Sequence, residues 1–334
     1  MGGKGTTLLT AVLTAVTLLL AAPAWAQTEA AAVAKPETVL VVGQRPGPGM
    51  WKISKGDHVL WVFATYSPLP VKMQWRSQQV EAIVSKSQRY LSPPSFTASV
   101  GVWGGLKMLP HVAGMRKNPG GAMLRDVVTP EVYARWRVLK ERYGVGDDAE
   151  SERPVFAAET LYRAGLKHAG LGTSDEVSKS IEALVAKNNV KEIASHIQLD
   201  LPNPGKTLKE FKQSSMDDTA CFKVTIERLE TDIDAMRRRA NAWSKGDLAE
   251  IRKLSFADRD AACTSAMTSS PALRDGLDLV AAEKRVRKLW LEAAEHVIKN
   301  HDTSFAMLKL SNVLRADYVM TELQARGYTV EAPD

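Results

Sequence analysis

The chain has 334 residues, 45% apolar and 25% charged, with a formal charge of +6. That length and apolar share allow a sizeable buried core. The positive balance does not mark a nucleic-acid partner, because basic and acidic residues interleave on helical patterns, with no one-sided basic stripe and no recognition motif.

The chain opens like a secretory signal peptide. Lys4 supplies a positive start, residues 8–22 are an apolar run, and Ala24-Trp25-Ala26 places small residues where cleavage needs them. Residues 1–26 are therefore expected to be removed after Ala26. The run is short for a spanning helix of about 20 residues, so an uncleaved anchor is the weaker alternative. No later stretch is apolar enough to cross a membrane. The mature protein is expected to be periplasmic or secreted. Residues 27–49 read as a flexible segment with one possible strand at 39–43. The prolines and glycines at 46–49 do not form Gly-x-Gly-x-x-Gly, so dinucleotide binding is not indicated.

Residues 50–334 contain no Pro/Gly/Ser-rich linker and are expected to form one domain. Residues 50–54 and 58–63 are short apolar runs around Lys55-Gly56-Asp57, which predicts a β-hairpin. Its second strand opens into a loop, Ala64-Thr65-Tyr66-Ser67-Pro68, which proline ends. A loop at the carboxyl end of a buried strand is where α/β-type folds place ligands. A helix over 76–86 and a strand at 89–91, ended by Pro93 and Pro94, come next. Residues 96–123 read as irregular or broken helix. Thr129 caps the next helix, Pro130 holds its first turn and Gly144 ends it, with Val132, Trp136 and Leu139 inward.

Helical patterns follow at 153–172 and 174–186, then a strand at 190–197 that contains a solitary His196. Phe222, Ile226, Leu229, Ile233, Met236, Ala240 and Trp243 recur at spacings of four and three. That predicts one long helix with a core-facing stripe and with Glu230 and Arg237 on its solvated side. Gly246 stops it and Asp247 caps the next. Residues 277–300 predict another long helix with Leu279, Ala282, Val286, Leu289, Ala293 and Val297 inward. His296 and His301 on this stretch are separated by about 140° around a helix, so they are not expected to share a face. A strand at 305–310, a loop beginning at Ser311-Asn312, a helix at 316–326 and a strand at 328–330 complete the chain. Strand, loop, helix and strand thus occur near both ends.

Cys221 and Cys263 both lie in the exported part. An oxidising compartment favours a disulfide between them. No second pair or nearby histidine completes a tetrahedral metal set with them.

Trp51-Lys52-Ile53, the Gly-Asp turn, the apolar strand, Pro-Leu-Pro and Trp75-Arg76-Ser77 resemble the N-terminal signature of the TraB/GumN family, which is related to Tiki-type metalloproteases. Trp243-Ser244-Lys245-Gly246-Asp247 is similar to that family's Trp-x-x-Gly-Asp segment, and residues 323–330 are similar to its C-terminal segment. The resemblance implies an α+β fold with a mixed central sheet built from the N- and C-terminal segments, flanked by many helices, with a helical middle. It also locates the family's metal positions. Where typical members read Gly-Thr-x-His, this chain has Ala64, Thr65, Tyr66 and Ser67. Where they read Gly-x-x-His, it has Lys309, Leu310, Ser311 and Asn312. Where a strand delivers a glutamate, it has Ser92 and two prolines. Neither Gly-x-x-His motif is present, and no metal or other cofactor is expected.

Two functions remain in view. The first is a noncatalytic exported protein that binds a peptide, a saccharide or a partner protein in a polar cleft lined by Thr65, Tyr66, Ser67 and Asn312. The alternative is a peptidase-like hydrolase with a rearranged metal or serine site. Ser67 lacks the Gly-x-Ser-x-Gly elbow of a serine hydrolase, so its base would have to come from a distant histidine.

Overall fold

A computed structural model describes residues 47–71, 73–99, 114–173, 175–201, 203–253 and 259–333. The expected signal sequence, the strand expected at 39–43 and most of the stretch read as irregular after residue 99 lie outside the described residues.

Eight of the ten strands among the described residues carry the two sheets that matter here: β1 (Met50–Lys55), β2 (His58–Thr65), β3 (Arg89–Leu91), β4 (Ser95–Ser99), β5 (Lys191–Ile193), β6 (His196–Asp200), β7 (Thr303–Lys309) and β8 (Thr329–Glu331). Six of them form a mixed sheet in the order β8-β1-β2-β7-β3-β5. β1 and β2 are the expected hairpin, with Lys55 opposite His58 and Met50 opposite Phe63. Gly56 turns it at φ +60°, a conformation costly for residues with a Cβ. β8 adds antiparallel to β1, while β2, β7, β3 and β5 run parallel. Five residues in succession, Ser304 to Leu308, are buried in β7, as a central strand covered on both faces requires.

Leu279–Asn300 is a continuous helix whose Trp290, Leu291, Ala294, Val297 and Ile298 join the sheet's core. Leu289, expected inward, is 39% exposed, and Trp290 beside it takes the buried place. The large ring offers more apolar area to the sheet than Leu289 would, so the helix turns toward it.

A second core is mainly helical. Pro130–Tyr143, Pro154–His168 and Thr219–Thr231 pack Trp136, Leu161, Phe222 and Leu229 together. The first of these helices starts as expected, with the Thr129 hydroxyl accepting the Val132 N–H at 3.4 Å. It ends at Gly144 in the left-handed conformation.

Three expectations need correction. The apolar stripe from Phe222 to Trp243 is carried by two helices, Thr219–Thr231 and Ile233–Ser244, which break at Asp232. Phe222, Ile226, Leu229 and Met236 belong to the helical core, whereas Ala240 and Trp243 enter the sheet core. The break redirects one stripe from the first core to the second. The strand expected at 190–197 is two strands, β5 and β6, because β6 leaves the main sheet and pairs with β4. This pairing also gives β4, at Ser95–Ser99, a regular partner within the stretch read as irregular. Lastly, Ser311 and Asn312 lie in a short helix, Leu310–Leu314, that turns immediately off β7 and buries Leu310 and Val313.

Cys221 and Cys263 form the expected disulfide, with Cα atoms 4.6 Å apart. It ties Thr219–Thr231 to Arg259–Ser269 within the helical core.

Candidate functional site

Three neighbouring parallel strands release their chains at one end of the sheet. β2 ends beside β7, with Thr65 opposite Lys309, and β3 ends beside β7, with Leu91 opposite Ala306. The residues that follow these ends are Ser67, Ser92 and Asn312. Positions far apart in sequence thus leave the sheet together, as the repeated strand–loop pattern anticipates.

The β2 end is held from several sides. The Thr65 hydroxyl donates to the Leu308 carbonyl at 3.2 Å, tying the loop to β7. The Trp243 indole N–H donates to the Ala64 carbonyl at 2.7 Å. Phe63 lies 5.5 Å from Trp75 and 6.0 Å from Trp243 between ring centroids. Trp75 and Trp243 come from the two tryptophan-bearing segments singled out in the sequence, and both serve to hold this strand end.

The four expected cleft residues do not share one environment. Thr65 and Tyr66 are half-buried, Ser67 is exposed and Asn312 is half-buried. An open groove of about 210 Å³ lies nearby, lined by Trp51, Arg252, Val313, Met320 and Gln324 among others. It includes none of the four, although Val313 directly follows Asn312.

Tyr66 reaches inward. Burial pushes its phenol above the ordinary tyrosine range, and the adjacent Arg239 and Arg228 guanidiniums oppose that shift. Arg239 is 1% exposed and grips Asp232 with two hydrogen bonds, of 3.0 and 2.6 Å. Arg228 reaches the same carboxylate at 3.5 Å. The sequence reading passed over these charges. Their signal was spacing: positions 228, 232 and 239 repeat at four and seven beside the apolar stripe, on the edge of the buried face.

The donors at the positions where the resemblance implies a metal do not fit a divalent ion. Ser67 and Ser92 offer neutral hydroxyls and Asn312 an amide, whereas such ions are held by imidazole, thiolate or carboxylate. Among the described residues no group of histidine, cysteine, aspartate and glutamate is arranged to hold a metal. The serine-hydrolase alternative gains no base either, since among the described residues no histidine or carboxylate hydrogen-bonds Ser67.

At the opposite end of the sheet three histidines gather. The rings of His296 and His301 stand 6.5 Å apart, contrary to the expectation from helical spacing. The helix ends at Asn300, and His301 continues in extended conformation, which swings its ring back beside His296. His58 lies 3.7 Å from Asp302. Burial lowers the His301 pKa from its ordinary 6.5, reinforced by Arg89, His296 and His58 and opposed by Asp302. The unfolded chain therefore takes up a proton at His301 more readily than the folded one. The contribution of His301 to stability is complete above pH 6.5 and is lost as pH falls through the depressed folded value. Urea unfolding at pH 7.5 and pH 5 should show a loss on acidification that is smaller in His301→Asn. Equal losses in both proteins would remove His301 from the acid response.

His196, solitary in sequence, stands between the hydroxyls of Ser95 and Thr97, at 3.1 and 3.2 Å from its two ring nitrogens. Both partners come from β4, so the pairing that the sequence did not show satisfies this histidine.

A family model described as TraB/PrgY/gumN matches residues 49–332. No curated protein and no solved structure matches the chain. With the match spanning the hairpin, the helical middle and the closing strand, the chain belongs to the TraB/PrgY/gumN family.

Proposed function

We propose that this is an exported, noncatalytic member of its family that binds a peptide, a saccharide or a partner protein in a polar cleft bordered by Thr65, Tyr66, Ser67 and Asn312. The observation that carries the reading is the convergence of β2, β7 and β3. The three strands whose ends precede the positions that the resemblance implies for a metal lie side by side and parallel, and those positions carry hydroxyl and amide groups rather than imidazole and carboxylate. Such groups recognise polar ligands by hydrogen bonds without supplying a Lewis acid or a general base. Export is supported by the apolar run at 8–22, by Ala24-Trp25-Ala26 and by a disulfide of the kind that persists in oxidising compartments.

The test restores what is missing. Mature protein and the triple variant Ser67→His/Ser92→Glu/Asn312→His are dialysed against a mild chelator, given zinc, dialysed again and analysed for metal. The parent should retain no stoichiometric zinc, and the variant should retain about one ion per chain. A parent that holds one ion per chain, or that cleaves peptides, would sink the noncatalytic reading.

A further inference from the structure

The open groove of about 210 Å³ is built from two kinds of surface. One is apolar and fixed by packing. Val330, on the edge strand β8, pairs with Ile53 on β1, and Trp51, two residues before Ile53, shares their face of the sheet. The helix Leu310–Leu314 adds Val313, and Val319–Ala325 adds Met320. Trp51, Val313 and Met320 are anchored in the sheet core, so these walls stand preformed.

The other surface is polar. Thr321 and Gln324 are three apart on one helix and share a face. Arg252, near the end of Leu248–Lys253, lines the groove with them. All three are exposed, and none of their side chains has a hydrogen bond or ion pair among the described residues. The charges around Arg252 are engaged elsewhere. Glu250 lies 3.7 Å from Lys253, and Glu331 lies 2.9 Å from Lys52. Arg315, the second guanidinium on the groove, is held by Asp317 at 3.2 Å and Glu283 at 3.7 Å and lies over the Tyr318 ring. Among the described residues that line the groove none is acidic.

These two surfaces select a ligand with two parts. A guanidinium fork matches a carboxylate, with bonds strengthened by charge. A carboxylate alone gains little at so exposed a cation. Apolar area buried against Val313, Met320 and Val330 has to supply the remainder. Size narrows the ligand further. A cavity of about 150 Å³ takes a benzene ring, whereas sites for drug-sized ligands run from about 300 Å³ upward. We infer that this groove is a second binding site, for a small free acid whose carboxylate is attached to a compact apolar body such as a ring or a branched chain. The carboxylate meets Arg252, with the Thr321 hydroxyl and the Gln324 amide as further donors, and the apolar body lies against Val313 and Met320. The groove shares none of its residues with the proposed cleft, so the inference stands without that reading.

Calorimetric titration of the mature protein with sodium phenylacetate tests it, at ionic strength held constant with chloride. Phenylacetate should bind saturably. Phenylacetamide, which keeps the shape and loses the charge, and acetate, which keeps the charge and loses the ring, should each bind at least about tenfold more weakly. Arg252→Gln should weaken phenylacetate binding by about tenfold to a hundredfold, the worth of a hydrogen bond to a charged group. Thr321→Trp, which fills the groove from an exposed position, should abolish it. Lys167→Gln, exposed on a helix of the other core, should leave it unchanged. Absence of saturable phenylacetate binding overturns the inference. So does equal binding of phenylacetamide, or binding that neither groove variant changes while circular dichroism shows both folded. Tighter binding of an N-acetylated tripeptide ending in phenylalanine would overturn the assignment to a free small acid. The metal analysis does not involve this groove, so failure here and failure of the noncatalytic reading are told apart.

Discussion

Asp232→Ala should destabilise the protein by about 3–5 kcal/mol, the usual consequence of removing one partner from a buried ion pair. Asp232 is 9% exposed, and Arg239, which it holds, is 1% exposed. Removing the carboxylate takes from Arg239 and Arg228 together an ion pair that both use. The same carboxylate sits at the break between Thr219–Thr231 and Ile233–Ser244, so its loss also loosens the angle that sends Trp243 into the sheet core. Urea unfolding with the disulfide intact is the measurement. A companion double variant, Asp232→Ala/Arg239→Met, should recover part of the loss, since it also removes the buried guanidinium that gave up its hydrogen bonds to the carboxylate. If Asp232→Ala costs less than about 1 kcal/mol, the pair behaves as an exposed one and its assigned role is wrong.

The second large effect belongs to the disulfide. Cys221 and Cys263 are separated by 42 residues, and closing a loop of that size is worth about 4 kcal/mol in the chain-entropy account. Cys221 is fully buried in the helical core, so alanine, which brings no unsatisfied hydroxyl, is the suitable replacement. Cys221→Ala/Cys263→Ala should lower the urea midpoint, and dithiothreitol should lower the parent's midpoint toward that of the variant. A midpoint unchanged by both treatments would show that the helical core needs no covalent tie. The two losses should not add fully, because both act on Thr219–Thr231.

Much of the fold was legible in the residues. The β1–β2 hairpin follows from apolar runs around Gly56, and the helix from Pro130 to Gly144 follows from its cap, its proline and its left-handed glycine. The capping of the helix after Gly246 was equally local, since the Asp247 carboxylate accepts the Glu250 N–H at 3.0 Å. These features depend on interactions within a few residues, which sequence spacing records directly. The pairing of Cys221 with Cys263 was legible for another reason, since the chain contains no other cysteine.

The tertiary structure decided the rest. Periodicity carried the apolar stripe through Asp232 unchanged, because one residue of altered backbone leaves the spacing of Leu229 and Met236 nearly intact. Only the packing of two cores shows that the stripe divides there. Leu289 and Trp290 are adjacent on the helix, and which of them faces inward depends on the sheet beneath. The ring contact between His296 and His301 depends on where the helix stops. For the candidate site, the sequence supplied Thr65, Tyr66, Ser67 and Asn312 as separate points, and the parallel pairing of β2 with β7 brought their strand ends together. It did not supply the arginines under Tyr66. A charged residue on a helix reads as solvated when its spacing alone is known, and Arg228 and Arg239 are buried because a carboxylate and a loop distant in sequence are folded against them.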